Sequence, residues 1–96
     1  MWVKIHKSSR AVIAICDTDL LGKKFEEDIR VLDVTDSFFK GQQMSKIEVL
    51  DLMKAESSSA TFNIVGKEST SLAIKAGIIE KSAIHKIKSI PFIIIV

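Results

Sequence analysis

One cysteine and two histidines are spread over 96 residues, and their scarcity closes off disulfide stapling and zinc ligation. Cys16 has no partner within the chain, so no intramolecular disulfide can staple the fold. His6 and His85 lie 79 positions apart, and no Cys/His cluster has the spacing of zinc ligands. The opening run Met1-Trp2-Val3-Lys4-Ile5 lacks the charged leader and the apolar stretch of about 7–15 residues that mark an export signal. The longest terminal apolar run, Phe92 to Val96, falls far short of the about 20 residues a membrane-spanning helix needs. The expectation is a cytoplasmic protein with no metal, no cofactor and no membrane partner.

A decisive excess of one charge is also missing. The formal net charge is +2, from 14 basic and 12 acidic side chains. Residues 1–48 balance eight against eight, and residues 49–96 carry six basic and four acidic groups, with Lys81, Lys86 and Lys88 gathered near His85. A dedicated nucleic-acid binder usually shows a plainer basic stripe, so this cluster reads first as a solvated face and only second as an RNA contact. What the chain does have is apolar content: 47 % hydrophobic against 27 % charged, values of a folded chain. Ninety-six residues fit one domain with one core, so a single domain over residues 1–96 is expected.

Val3 and Ile5 alternate with Lys4 and His6, the period of a half-buried strand. The unbroken apolar run Ala11 to Cys16 predicts a strand covered on both faces, and the polar Lys7 to Arg10 joins the two as a hairpin. Asp17 or Asp19 can cap a short turn through Leu20 and Leu21, and Gly22 can end it in a left-handed conformation. Glu26-Glu27-Asp28 reads as a solvated turn, Ile29 to Thr35 as a strand, and Asp36 to Gly41 as a turn carrying Phe38 and Phe39. Ser45-Lys46-Ile47-Glu48 has the form of a capping box, predicting a helix to about Glu56. Ala60 to Val65 is β-prone, Lys67 to about Ala76 is helical with Gly77 as its stop, and Pro91 stands before a last strand. Two helices on one face of a mixed or mostly antiparallel sheet follow: an α+β, two-layer sandwich.

Candidate sites are few. Cys16 at a strand end is placed as nucleophiles often are, but a working thiolate needs a cationic partner or a base, and nothing brings His6 or His85 to it. No catalytic residue is assigned. Val65-Gly66-Lys67-Glu68-Ser69-Thr70 resembles the tail of a phosphate loop, yet Thr61 stands where the first glycine is required, so no nucleotide is expected there. Free amides at a helix start with Gly66, Lys67, Ser69 and Thr70 remain an anion-binding candidate. Lys23 and Lys24 beside Phe25 have the basic-aromatic interleaving that grips single strands, although Phe25, Phe38 and Phe39 are more often core plugs.

Taken in order, these motifs resemble a known family. Cys16-Asp17-x-x-Leu20-Leu21-Gly22-Lys23-x-Phe25, Phe38-Phe39-x-Gly41, Asn63-Ile64-Val65-Gly66, Ala73-Ile74-x-Ala76-Gly77-Ile78-Ile79 and Ile90-Pro91 are similar to the successive elements of the archaeal domain-of-unknown-function family 424. The resemblance implies a two-layer α/β sandwich and an association with RNA or translation. The family's histidine after the proline is Phe92 here, so chemistry resting on it would be lost while a binding role would survive. The reading is a binding or accessory module for RNA or a ribonucleoprotein assembly, using Lys23, Lys24, Lys67, Lys81, Lys86 and Lys88. The second reading is a protein-interaction module anchored by Trp2, Phe38 or Phe39. A small enzyme built on Cys16 and a histidine comes last.

Overall fold

A computed structural model describes all 96 residues. Eight strands run in chain order as β1 (Trp2–His6), β2 (Ala11–Cys16), β3 (Lys24–Glu27), β4 (Arg30–Asp33), β5 (Gln42–Gln43), β6 (Ala60–Val65), β7 (His85–Ile87) and β8 (Ile90–Ile95). Three α-helices are α1 (Asp36–Phe39), α2 (Lys46–Glu56) and α3 (Lys67–Lys75). Six strands form one sheet in the order β5-β1-β2-β6-β8-β7. Every neighbouring pair is antiparallel except β2 with β6, which run parallel in the register Ala11↔Ala60 to Cys16↔Val65. The fold is α+β, with the two main helices α2 and α3 layered on the sheet.

Alternation along the strands divides the interior in two. Val3, Ile13, Ile15, Phe62, Ile64 and Ile93 pack with Val49 and Met53 of α2 and Leu72 and Ala73 of α3. The intervening residues Ala14, Cys16 and Val65 face the other way, against Leu20, Val34 and Phe39. The expected two-faced burial of β2 follows, since Ile13 through Cys16 are each at most 1 % exposed.

The second face is covered by a hairpin that departs from the sequence reading. Glu26 and Glu27 are not a turn but belong to β3, which pairs with β4 in a separate two-stranded sheet; the turn is Asp28-Ile29, with Asp28 at φ 57°. Asp36 to Phe39 is likewise a helix, because the Thr35 hydroxyl accepts from the Phe38 amide and caps it.

The capping box is formed as expected. Ser45 Oγ accepts from the Glu48 amide at 3.2 Å, and the Glu48 carboxylate accepts from the Ser45 amide at 2.9 Å. Gly22 and Gly77 both take positive φ at the ends they were expected to close. Pro91 is the second residue of β8 rather than its forerunner. The terminal apolar run is only half covered. Strand β7 pairs with Ile90 to Phe92 alone, so beyond Phe92 the strand is paired on its β6 side only, and Ile94 is exposed. No helix is long and apolar enough to cross a membrane.

Candidate functional site

Asp17 organises one end of the sheet. Its amide continues the parallel β2–β6 ladder by donating to the Val65 carbonyl at 3.1 Å, so its side chain emerges at the start of α3. The carboxylate does not cap the short 3₁₀ turn Thr18–Leu20, as the local sequence suggested. It reaches 51 residues along the chain instead. Its Oδ2 accepts from the Glu68 amide at 3.1 Å, and its Oδ1 accepts from the Ser69 amide at 2.8 Å and the Ser69 hydroxyl at 2.7 Å. Asp17 is thus a cap supplied from another element, satisfying amides that a helix start leaves free. Its negative charge faces the positive end of the helix dipole.

Gly66 makes that approach possible. A Cβ there would stand 2.5 Å from Asp17 Oδ1 and closer still to the rest of the carboxylate, and the residue has φ +113°. Its amide donates to the Pro91 carbonyl at 2.8 Å, tying β8 to the same corner.

This arrangement corrects the anion-binding candidate. Of Gly66, Lys67, Ser69 and Thr70, Ser69 is fully buried and spent on Asp17, and the Thr70 hydroxyl donates to the Gly66 carbonyl at 2.8 Å. An incoming anion would meet a carboxylate where free amides were expected. Lys67 alone of the four remains exposed, and its side chain borders a groove elsewhere on α3.

That groove measures about 490 Å³. Its walls carry Lys67, Thr70 and Ser71 from α3, Lys81 from the turn before β7, Lys86 from β7 and Ser89 from the following turn. Lys86 pairs across the ladder with Pro91, which also lines the groove. No carboxylate and no aromatic ring lines it. Lys67 of α3 is thereby brought beside Lys81 and Lys86, with the hydroxyls of Ser71 and Ser89 among them. Lys88 occupies the β7–β8 turn at φ 51° and is not in the lining.

Lys23 and Lys24 do not join this cluster. Lys24 opens β3 and pairs with Glu26 at 3.5 Å, and Phe25 packs into the apolar cluster beneath the hairpin. The aromatic anchors fare similarly. Phe39 is buried, Trp2 is half-buried with Lys40 Nζ 5.8 Å from its ring centroid, and Phe38 is stacked at 4.6 Å on His6. None of the three stands out as an exposed anchor.

Cys16 has no access to solvent, and burial, with the neighbouring Asp17 charge adding to it, pushes its thiol up to about 12. His85 aligns with Phe92, which aligns with Val65 and so with Cys16, placing it three strand spacings, about 14 Å, away. His6 lies four residues along β1 from the partner of Cys16, about 13 Å, and its Nε2 donates to the Phe38 carbonyl at 2.8 Å. Nothing activates the thiol. Phe92, the residue after Pro91, packs into the hairpin-side cluster with its ring 5.7 Å from that of His85. Nowhere do three His, Cys, Asp or Glu side chains gather as a metal site.

The family model for protein of unknown function DUF424 matches residues 6–96. The chain belongs to this family. None of the curated proteins compared with it matches. An uncharacterised conserved protein from Methanopyrus kandleri, known from its crystal structure, superposes with a TM-score of 0.78 at 23 % identity. The match covers 98 % of this chain and 88 % of that one, and it shows that the two share a fold.

Local reading missed Asp17 as a distal cap, because its partners lie more than 50 residues away. It also passed over Lys75 and Ser71. Lys67, Ser71 and Lys75 recur at i, i+4 and i+8, the spacing of one helix face, and that periodicity was the available signal.

Proposed function

We propose that this protein is a binding or accessory module for RNA or an RNA-containing assembly, and that the α3 groove is where the polyanion sits. The observation that carries the reading is the convergence of Lys67, Lys81 and Lys86 on one groove free of carboxylates. Affinity for nucleic acid comes largely from neutralising phosphates and releasing their counterions, so local clustering matters more than the net charge of +2. The exposed hydroxyls of Ser71 and Ser89 add donors suited to phosphate oxygens. The tie to translation rests on the family resemblance alone.

The test is RNA binding measured by fluorescence anisotropy between 50 and 200 mM salt. Three lysine contacts on a single strand give a slope of about −2 in log K against log salt, a roughly twentyfold loss over that range. Replacing Lys67, Lys81 and Lys86 with Gln should flatten the slope. Absence of binding even at the lowest salt overturns the reading.

A second reading is a protein-interaction module on the hairpin side, where Phe38 and Phe39 line a cavity instead of standing out as anchors. Val31 and Ile94, 54 % and 60 % exposed, flank an apolar cavity of about 200 Å³. Unchanged RNA affinity in the lysine variant, with loss of a protein contact on charging Val31, would favour it.

A further inference from the structure

The groove does not end at α3. A second depression of about 320 Å³ lies on the other side of the helix, lined by Lys46 and Lys75, and it shares Lys67 and Ser71 with the first. Lys67, Ser71 and Lys75 stand on one face of α3, and eight residues of helix span about 12 Å. The two depressions therefore meet over the crest of the helix. The one carboxylate along the way is Glu68, and it is held by Lys46 at 2.9 Å across α2 and α3. Each partner favours the charged form of the other: Glu68 is lowered and Lys46 raised, through their mutual hydrogen bond and then their charges.

What is missing from the track decides what it can read. Neither depression has an aromatic ring in its walls. Phe25, Phe38, Phe39, Phe92 and Trp2 all belong to the cluster on the opposite face of the sheet, and Phe62 is fully buried among the helices. Base recognition in single strands relies on stacking platforms, and a face of ammonium groups, hydroxyls, aliphatic side chains and the one Glu68 carboxylate provides none.

Building on the proposed polyanion site, we infer that Lys86, Lys81, Lys67, Lys75 and Lys46 form a continuous phosphate track that follows the phosphodiester chain without reading its bases. Glu68 is a competing anion in that track. It occupies Lys46 in the free protein, and a bound strand must replace it to gain the last contact.

The experiment compares a decauridylate, an abasic deoxyribose-phosphate decamer and decaglutamate as fluorescent probes against the intact protein. Wild type should bind the first two within about threefold of each other and decaglutamate at least tenfold more weakly. Lys75→Gln should lower the salt slope by about 0.7, the share of one single-strand phosphate contact, and Glu68→Gln should steepen it by about the same amount. Both side chains are exposed, so unchanged urea midpoints should show that neither variant is unfolded. Tenfold weaker binding of the abasic decamer than of RNA would overturn phosphate-only reading while leaving the RNA reading intact. Equal binding of both with no slope change in either variant would confine the site to the first groove and overturn the track. A preference for decaglutamate would mean an acidic protein segment as ligand, and no binding by any probe would remove both readings together.

Discussion

Removing the Asp17 carboxylate should cost this fold about 3 kcal/mol. The group accepts three hydrogen bonds, two of them at Oδ1 from Ser69, and Asp17 and Ser69 are both buried. Losing a helix cap costs about 0.5–2 kcal/mol, and each donor left buried without a partner adds roughly 1–3 kcal/mol. These contributions overlap, so Asp17→Ala falls near the middle of their range rather than at their sum. With a urea m value of about 2 kcal/mol/M, the midpoint should drop by about 1.5 M. Asp17→Asn should cost less, since an amide oxygen at the Oδ1 position still serves Ser69, but its NH₂ would then confront the Glu68 amide donor to donor. Gly66→Ala should cost a similar amount alone, through the collision with the carboxylate and the strain of a positive φ, about 1–3 kcal/mol for the latter. In the Asp17→Ala background the collision is gone, and the cost of Gly66→Ala should fall by at least about 1 kcal/mol. Equilibrium urea unfolding of the four species measures this directly. Full additivity of the two substitutions, or a loss below about 0.5 kcal/mol for Asp17→Ala, would refute the interlocked corner.

Ser45→Ala should lower stability by about 1 kcal/mol through loss of the α2 cap, and unchanged urea midpoints would contradict it. Folding lowers the Glu48 carboxyl below its ordinary 4.5, chiefly through the Ser45 amide, so the unfolded chain takes up that proton first. The stabilisation from Glu48 should therefore be complete above about pH 4.5 and fade as pH falls through the folded value, and the gap between wild type and Glu48→Gln in urea midpoints should narrow in that window. Cys16, buried and held near 12, should resist a disulfide-exchange reagent in the native protein and react only on unfolding. Rapid stoichiometric labelling without denaturant would show that the strand end is open.

Features written in adjacent residues were legible in the sequence. The capping box of α2, the six residues of β6 and the doubly covered β2 follow from local hydrogen bonding and hydropathy, and they lie where those signals put them. Strand β4 lies within the stretch Ile29 to Thr35 that read as a strand, but its partner β3 was hidden because the charged Glu26-Glu27-Asp28 run looked like a solvated turn. Helix α1 has four residues and depends on one threonine cap, less than any periodic signal needs. The site divides in the same way. Lys67, Lys81 and Lys86 were recognisable as basic residues, but their convergence requires β7 and β8 to fold back beside α3. Lys23 and Lys24 carried the more suggestive local pattern and were separated from the others by the hairpin. The helix start looked free only because its partner, Asp17, sits at the end of a strand more than 50 residues earlier.

The most direct test of the RNA reading is where on the surface RNA is felt. Titrating the isotope-labelled protein with decauridylate at low salt, and following backbone amide shifts by NMR, reports that surface residue by residue. The largest changes should cluster at Lys67, Ser71, Lys81, Lys86 and Ser89, with Lys23 to Phe25 unmoved. Shifts concentrated on the hairpin side, or none anywhere at saturating RNA, would contradict the assignment of the α3 groove as the binding surface.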